Sequence, residues 1–193
     1  MYKLCKTEQS AARQRELEEG LLRAMSHRHY DEISVSDLCD EMGIPRKSFY
    51  RYFSGKDGAL HALIDHTLLS FEAYSLENGA RAKGPYYGNL ERFFAFWLQQ
   101  KPLLDALGRS SLSGELVMRT IHHALSDTGE PSLRAKKEDG KSRKHAITFC
   151  VCGLMSLVLD WHREGYALSP RQMSDIAIRL LPEPLFGMDG SLN

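Results

Sequence analysis

Residues 34–56 read Ser34-Val35-Ser36-Asp37-Leu38-Cys39-Asp40-Glu41-Met42-Gly43-Ile44-Pro45-Arg46-Lys47-Ser48-Phe49-Tyr50-Arg51-Tyr52-Phe53-Ser54-Gly55-Lys56. Val35, Leu38 and Met42 recur at the i, i+3, i+7 spacing of one helical face; Ser34 stands where an N-cap is needed, and Gly43 supplies a left-handed residue to end the helix. The spacing predicts two short helices about a Gly43 turn, with Ile44 plugging the angle between them. The second helix is chemically lopsided. Arg46, Lys47, Arg51 and Lys56 fall after Gly43 with no carboxylate among them, beside the hydroxyls of Ser48, Tyr50 and Tyr52. Cations and hydroxyl donors suit phosphate oxygens and base edges, so the layout is that of a DNA-reading helix-turn-helix.

Outward from this stretch, every element with a clear period is a helix. Leu17, Leu21, Leu22 and Met25 form an apolar stripe that predicts a bracing helix from about Thr7 to Arg28, ahead of the polar break His27-Arg28-His29-Tyr30-Asp31. Past Lys56, the positions Leu60, Leu63, Ile64, Thr67, Leu68 and Phe71 predict a connecting helix to about Asn78. Gly79 to Gly88, with Gly84-Pro85, reads as a loop. Leu90, Phe93, Phe94, Trp97 and Leu98 then mark an aromatic-rich helix that ends before Pro102. Leu103 to Leu107 reads as one short helix, Gly108 to Ser111 as a turn, and Ser113 to Asp127 as a further helix.

Thr128 to Lys144 is rich in charge, glycine and proline and reads as a solvated loop. The longest apolar helix follows, at about 144–164. Ala146, Phe149, Cys150, Gly153, Leu154, Leu157, Val158 and Trp161 keep a 3.6-residue period on it, and Cys152, Met155 and Leu159 add a second stripe. A helix apolar on two sides must be covered on two sides, by its own chain or by another. Met173, Ile176, Ala177, Leu180 and Leu181 line one face of a last helix at about 169–181. The fold class is all-α: a three-helix head over residues 1–56 and a larger helical body over 57–193.

Composition narrows the function. The 193 residues carry zero formal net charge, and cations and carboxylates also balance within the first sixty residues. Only the local cluster speaks for nucleic acid, which favours a specific binder using two heads over a nonspecific coat. No apolar run approaches the roughly 20 residues that cross a bilayer, and the start Met1-Tyr2-Lys3-Leu4-Cys5-Lys6 lacks a signal-peptide apolar region; the expected location is the cytoplasm. Cys5, Cys39, Cys150 and Cys152 lack paired metal or redox spacing and read as buried thiols. No nucleophile elbow, Walker loop, dinucleotide glycine turn or HExxH occurs, so no catalytic residue, metal site or cofactor is expected.

The run Gly43, Ile44, Pro45, Arg46-Lys47, Ser48, Phe49, Tyr50, Arg51, Tyr52, Phe53, Ser54-Gly55, Lys56 also resembles the signature of the tetracycline-repressor (TetR) family of transcription regulators. The resemblance covers about residues 10–65. It implies that Tyr50 and Lys56 hold backbone phosphates, Lys56 from the start of the connecting helix, where free amides also favour an anion. Arg46, Lys47, Ser48 and Arg51 lie on or beside the recognition helix as candidates for base edges, with Tyr52 in the same donor cluster; Phe49 and Phe53 fit the core. Ser36 either touches phosphate or simply sits near a helix start. Gly58 softens the connecting helix, as a hinge or as a solvent-side glycine of no consequence.

In the body, the resemblance places a dimer interface on the last two helices, at Gly153, Leu154, Leu157, Trp161, Ile176 and Leu180; the residues alone show excess apolar surface. Phe93, Phe96, Trp97, Met118, His122, Phe149 and Met155 offer the aromatic and soft surface of a ligand pocket, or of an ordinary core. The resemblance therefore implies a homodimer on a palindromic double-stranded DNA operator, most often a repressor released by a small-molecule inducer. The alternative is a body that serves as a protein-interaction module under the control of a partner protein.

Overall fold

The computed structural model describes residues 2–3, 5, 7–78, 87–126 and 140–180. Its helices are α1 (Glu8–Met25), α2 (Val35–Glu41), α3 (Arg46–Tyr50), α4 (Lys56–Asn78), α5 (Tyr87–Gln99), α6 (Lys101–Arg109), α7 (Ser113–Ser126), α8 (Gly140–Arg163) and α9 (Pro170–Leu180), with a short 3-10 turn at Tyr30–Glu32. The all-helical expectation holds. The one extended pairing among the described residues is an isolated antiparallel bridge between Tyr2 and Phe53.

The described residues fall into two compact units, one within 1–70 and 100–119, the other within 71–99 and 120–180. The first holds the helix-turn-helix. Leu17, Leu21 and Met25 of α1, Ile33, Leu38 and Cys39 around α2, and Phe49 and Phe53 after the turn all close on one core at 1% exposure or less. Burying each such side chain contributes about 1.5–3 kcal/mol, ample to set three short helices that would not stand alone. Ser34 caps α2 through a reciprocal box with Asp37, whose carboxyl those bonds hold below its usual range. Gly43 sits at φ +62°, the left-handed conformation that ends α2 cheaply only for glycine. Gly20 of α1 faces Met42 after α2, whose thioether end packs where a Cβ would stand.

A polar clasp fastens the same unit. Arg119 of α7 donates through Nε to Asp65 Oδ1 of α4 at 2.7 Å and through Nη2 to Oδ2, while the Tyr2 hydroxyl donates to Oδ2 at 2.7 Å. Burial opposes ionisation of Asp65, but the bonds from Arg119 and Tyr2 outweigh it and hold the carboxyl below its ordinary 3.8. A depressed folded-state pKa means stability that is present above 3.8 and lost as pH falls through the lower folded value. Asp65→Asn is thus expected to lower the melting temperature at pH 7 and to flatten its decline as the pH falls below about 4 in a thermal-unfolding series. An unchanged acid limb would contradict this.

In the second unit α5 lies along α9, and Phe94 meets Trp161 of α8 edge-to-face at 5.8 Å. Trp161 is 1% exposed, donates its indole N–H to the Leu168 carbonyl at 2.9 Å, and stacks edge-on with Tyr166 at 4.8 Å. With Met155, Val158, Met173 and Ala177 it makes the core that α8 and α9 present inward.

Several boundaries differ from the sequence reading. α5 begins at Tyr87, so Gly88 is helical, and α6 runs Lys101–Arg109 because Pro102 stands in its first turn, where a missing N–H costs nothing. α8 starts at Gly140, earlier than expected, since Lys141, Arg143 and Lys144 are good helix formers. The remaining loop expectations, at 79–86 and 128–139, lie outside the described residues. The expectation that no apolar run approaches bilayer length is corrected: Lys144–Arg163 is long and apolar enough by length and composition alone. Cys150, Met155, Val158 and Trp161 bury one side of it, and most of the apolar stretch lies outside that buried side.

Candidate nucleic-acid interface

Two aromatics orient α3. Phe49 and Phe53 are buried with ring centroids 5.2 Å apart, as expected of core residues. Helical geometry then sets Lys47 and Arg51, at i−2 and i+2, about 160° from Phe49, side by side at i, i+4 spacing. Both are exposed, as is Arg46, and Tyr50 is 52% exposed. Ser48 is half-buried behind them. The Arg46 guanidinium donates to Ser36 Oγ, which donates onward to Asp40 at 3.4 Å, so α2 steadies the first residue of α3. Four N–H groups of Arg46 stay available beyond that bond. Here Ser36 has a partner inside the protein, contrary to the idle reading of a helix-start serine.

Two side chains expected on DNA are placed elsewhere. Tyr52 is only 8% exposed and packs against Phe53, so the expectation of a DNA-facing phenol at this position is corrected: residue 52 follows α3, and its side chain belongs to the head's core. Lys56 is turned inward as well. Its ammonium donates to the carbonyls of Tyr30 at 2.8 Å, Ile33 at 3.0 Å and, more loosely, Asp31 at 3.4 Å, and lies 4.4 Å from the centre of the Tyr30 ring. All three of its donors are thereby engaged. Gly58 is buried, which removes the solvent-side reading of that glycine.

Tyr30, which the sequence placed in a polar break, is a hub. Its hydroxyl donates to Asp57 Oδ1 at 2.6 Å and its backbone N–H to Ser110 Oγ at 3.0 Å. Burial, and then the bond to Asp57, push its phenol pKa up. Its signal was an aromatic residue amid polar neighbours, directly before the Asp31-Glu32 pair. Lys56→Ala should strip three carbonyls of their donor and cost about 1–3 kcal/mol in urea unfolding, with Lys56→Arg recovering part of it. Equal stability of the alanine variant would contradict the staple.

The pocket residues separate. Phe96, Trp97 and Met155 are buried, and Phe93 half-buried, whereas Met118, His122 and Phe149 are exposed, the first at 50% and the last at 63%. These three are therefore corrected: they are surface residues in this structure. Phe93, Phe96 and Trp97 instead gather with Phe71 and Tyr74, ring centroids 5.2–6.3 Å apart. Within that cluster the Trp97 indole N–H is buried without a hydrogen-bond partner among the described residues. Among the described residues no three His, Cys, Asp or Glu side chains gather as a metal site.

The expected dimer residues divide by exposure, with one correction. Trp161 is a core residue of its own chain and is unavailable to a partner. Ile176 is half-buried. Gly153, Leu154 and Leu157 line an open groove of about 380 Å³ with Phe149, Ala177 and Leu180, and Leu180 is 63% exposed.

Residues 19–63 match the family model of bacterial regulatory proteins of the tetR family. No curated protein matches the chain in sequence. Solved structures share its fold. The fatty acid degradation regulator FadR from Bacillus halodurans superposes with a TM-score of 0.60 at 15% identity, covering 96% of this chain and 99% of its own. The dihydroxyacetone kinase operon activator DhaS (TM-score 0.51, 15% identity, 89% and 94% coverage) is similar. So is a tetR-family transcriptional regulator from Streptomyces coelicolor (0.51, 19%, 89% and 79%). The helix-turn-helix head is that of a DNA-binding transcription regulator, and the helical body shares the fold of these structures. Over residues 19–63 the chain carries the DNA-binding head of the TetR family.

Proposed function

We propose that this protein is a cytoplasmic, homodimeric repressor that binds a near-palindromic operator and is released by a small molecule. The observation that carries the DNA reading is the exposure of Lys47 and Arg51 on the face of α3 opposite Phe49, within a head matched to the family. Residues 1–56 act as the DNA-binding head and 57–193 as the regulatory and dimerisation body. Arg46, Lys47, Ser48 and Arg51 supply base and phosphate contacts, and Tyr50 holds a backbone phosphate. Lys56 acts from behind, fixing the Tyr30 turn and leaving the first amides of α4 for phosphate. Two protomers per operator duplex, by mass of the complex formed on DNA selected from a random pool, is the expected stoichiometry; one protomer would contradict the dimer.

The effector reading is supported by Trp97. A buried N–H without a partner is costly, about 1–3 kcal/mol, and an acceptor arriving among the surrounding rings would recover that cost. Such a ligand carries a flat or apolar body and one carbonyl or carboxylate oxygen. Trp97→Phe is expected to keep operator affinity within about twofold while weakening effector-driven release by about tenfold or more, the value of one buried hydrogen bond. Wild-type release by the same effector in this variant would refute the role of Trp97.

A further inference from the structure

A short segment carrying a cation, outside the helix-turn-helix, pairs with the backbone just past α3. Residues 2 and 3 run antiparallel to the segment that leaves the recognition helix: Tyr2 bridges Phe53, and the Lys3 N–H donates to the Tyr52 carbonyl at 3.0 Å. Residue 3 is therefore a backbone neighbour of the residue next to exposed Arg51. Opposite residues in such a pair lie about 4.5–5.5 Å apart, well within the reach of a lysine side chain. The segment is anchored with unusual care for so short a piece of chain. The Tyr2 hydroxyl donates to Asp65 at 2.7 Å, Arg119 holds the same carboxylate, and the Tyr2 ring meets His66 edge-on at 6.0 Å. His66 in turn is bonded to the buried Glu18 of α1 at 2.8 Å. Side chains alternate along an extended segment, so anchoring Tyr2 inward directs Lys3 outward. Lys3 is exposed, and among the described residues its ammonium has no hydrogen-bond or ion-pair partner.

We propose that residues 2–3 form a second DNA-contacting element, in which Lys3 holds a backbone phosphate beside those held by α3 and Tyr2 is the positioning residue that fixes it there. The inference rests on the DNA-binding reading of α3. The structural alternative is that the segment only seals the head's core, and the two make different predictions. A seal matters to stability and is blind to salt. A phosphate contact matters to affinity on every DNA sequence and releases counterions.

The test uses the full chain on an operator selected from random DNA, with fluorescence anisotropy at several salt concentrations and a melting curve for each variant. Lys3→Ala should weaken binding about 3- to 10-fold and lower the salt slope by about 0.9 per head, equally on selected and unselected duplexes, with the melting temperature unchanged. Tyr2→Phe keeps the ring and removes the bond to Asp65. It should reproduce the fall in slope, and adding Lys3→Ala to it should bring little further change, the non-additivity of two residues acting through one phosphate. Lys47→Ala is the control. Should Lys47→Ala weaken binding while Lys3→Ala leaves affinity and slope intact, the segment is only a seal and the proposal falls. Strictly additive Lys3 and Tyr2 effects would remove the positioning role. If Lys47→Ala also changes nothing, the DNA reading of α3 itself is wrong.

Discussion

Gly153→Glu is expected to yield a folded monomer that no longer holds its operator. A Cβ at Gly153 meets nothing within 4 Å, so the chain itself accepts a side chain there, and replacing a mid-helix glycine favours α8 by up to about 1 kcal/mol. The same position lines the open groove with Leu154, Leu157, Ala177 and Leu180. If a second copy closes that groove, the new carboxylate is buried without a partner at a cost of about 3–5 kcal/mol, which raises the dimer dissociation constant roughly 150- to 5,000-fold. Light scattering together with a melting curve separates the outcomes. Expected are a wild-type dimer and a variant of half the mass with an undiminished melting temperature. A variant that stays dimeric would move the interface elsewhere.

The second large effect lies in the head. Lys47→Ala combined with Arg51→Ala removes two exposed cations from the face of α3 opposite its buried Phe49. Each phosphate left unheld means about one fewer counterion released, and each base edge left unread costs about 1–3 kcal/mol, so the pair should cost at least about 100-fold in operator affinity. Neither side chain supports the core, and thermal stability should hold. Arg46→Ala should act more narrowly, flattening preference at one position of each half-site, because its guanidinium is steadied by Ser36 at the start of α3. Retention of wild-type affinity by the double variant would detach function from this helix.

What can be read from sequence follows local physics. Ser34, Gly43 and the Phe49/Phe53 pair act within a few residues of one another, and the capping box, the left-handed turn and the aromatic core stand as the spacing predicts. Bonds that join distant parts of the chain leave no such trace. Asp65 and Arg119 are 54 residues apart, Tyr2 and Asp65 are 63 apart, and nothing in either local pattern marks a partner. Lys56 is opaque for the same reason: a lysine at a helix start looks free until Tyr30 and Ile33, more than twenty residues earlier, offer their carbonyls. Tyr52 shows the limit of counting donors by type, since burial decides whether a hydroxyl is available. In the body, periodicity finds the apolar faces of α8 but cannot divide them. Trp161 turns inward to Phe94 and Leu168, while Phe149 stays on the open groove.

Selection of duplexes from random DNA by the 193-residue chain, followed by anisotropy on the enriched sequence, tests the central claim most directly. A symmetric dimer with one α3 per protomer reads two half-sites about one helical turn apart, or a multiple of it. The expected result is an enriched inverted repeat whose affinity falls steeply with salt and collapses in the Lys47→Ala/Arg51→Ala protein. Enrichment of no inverted repeat, or of one that the double variant binds as tightly as the wild type, would contradict it.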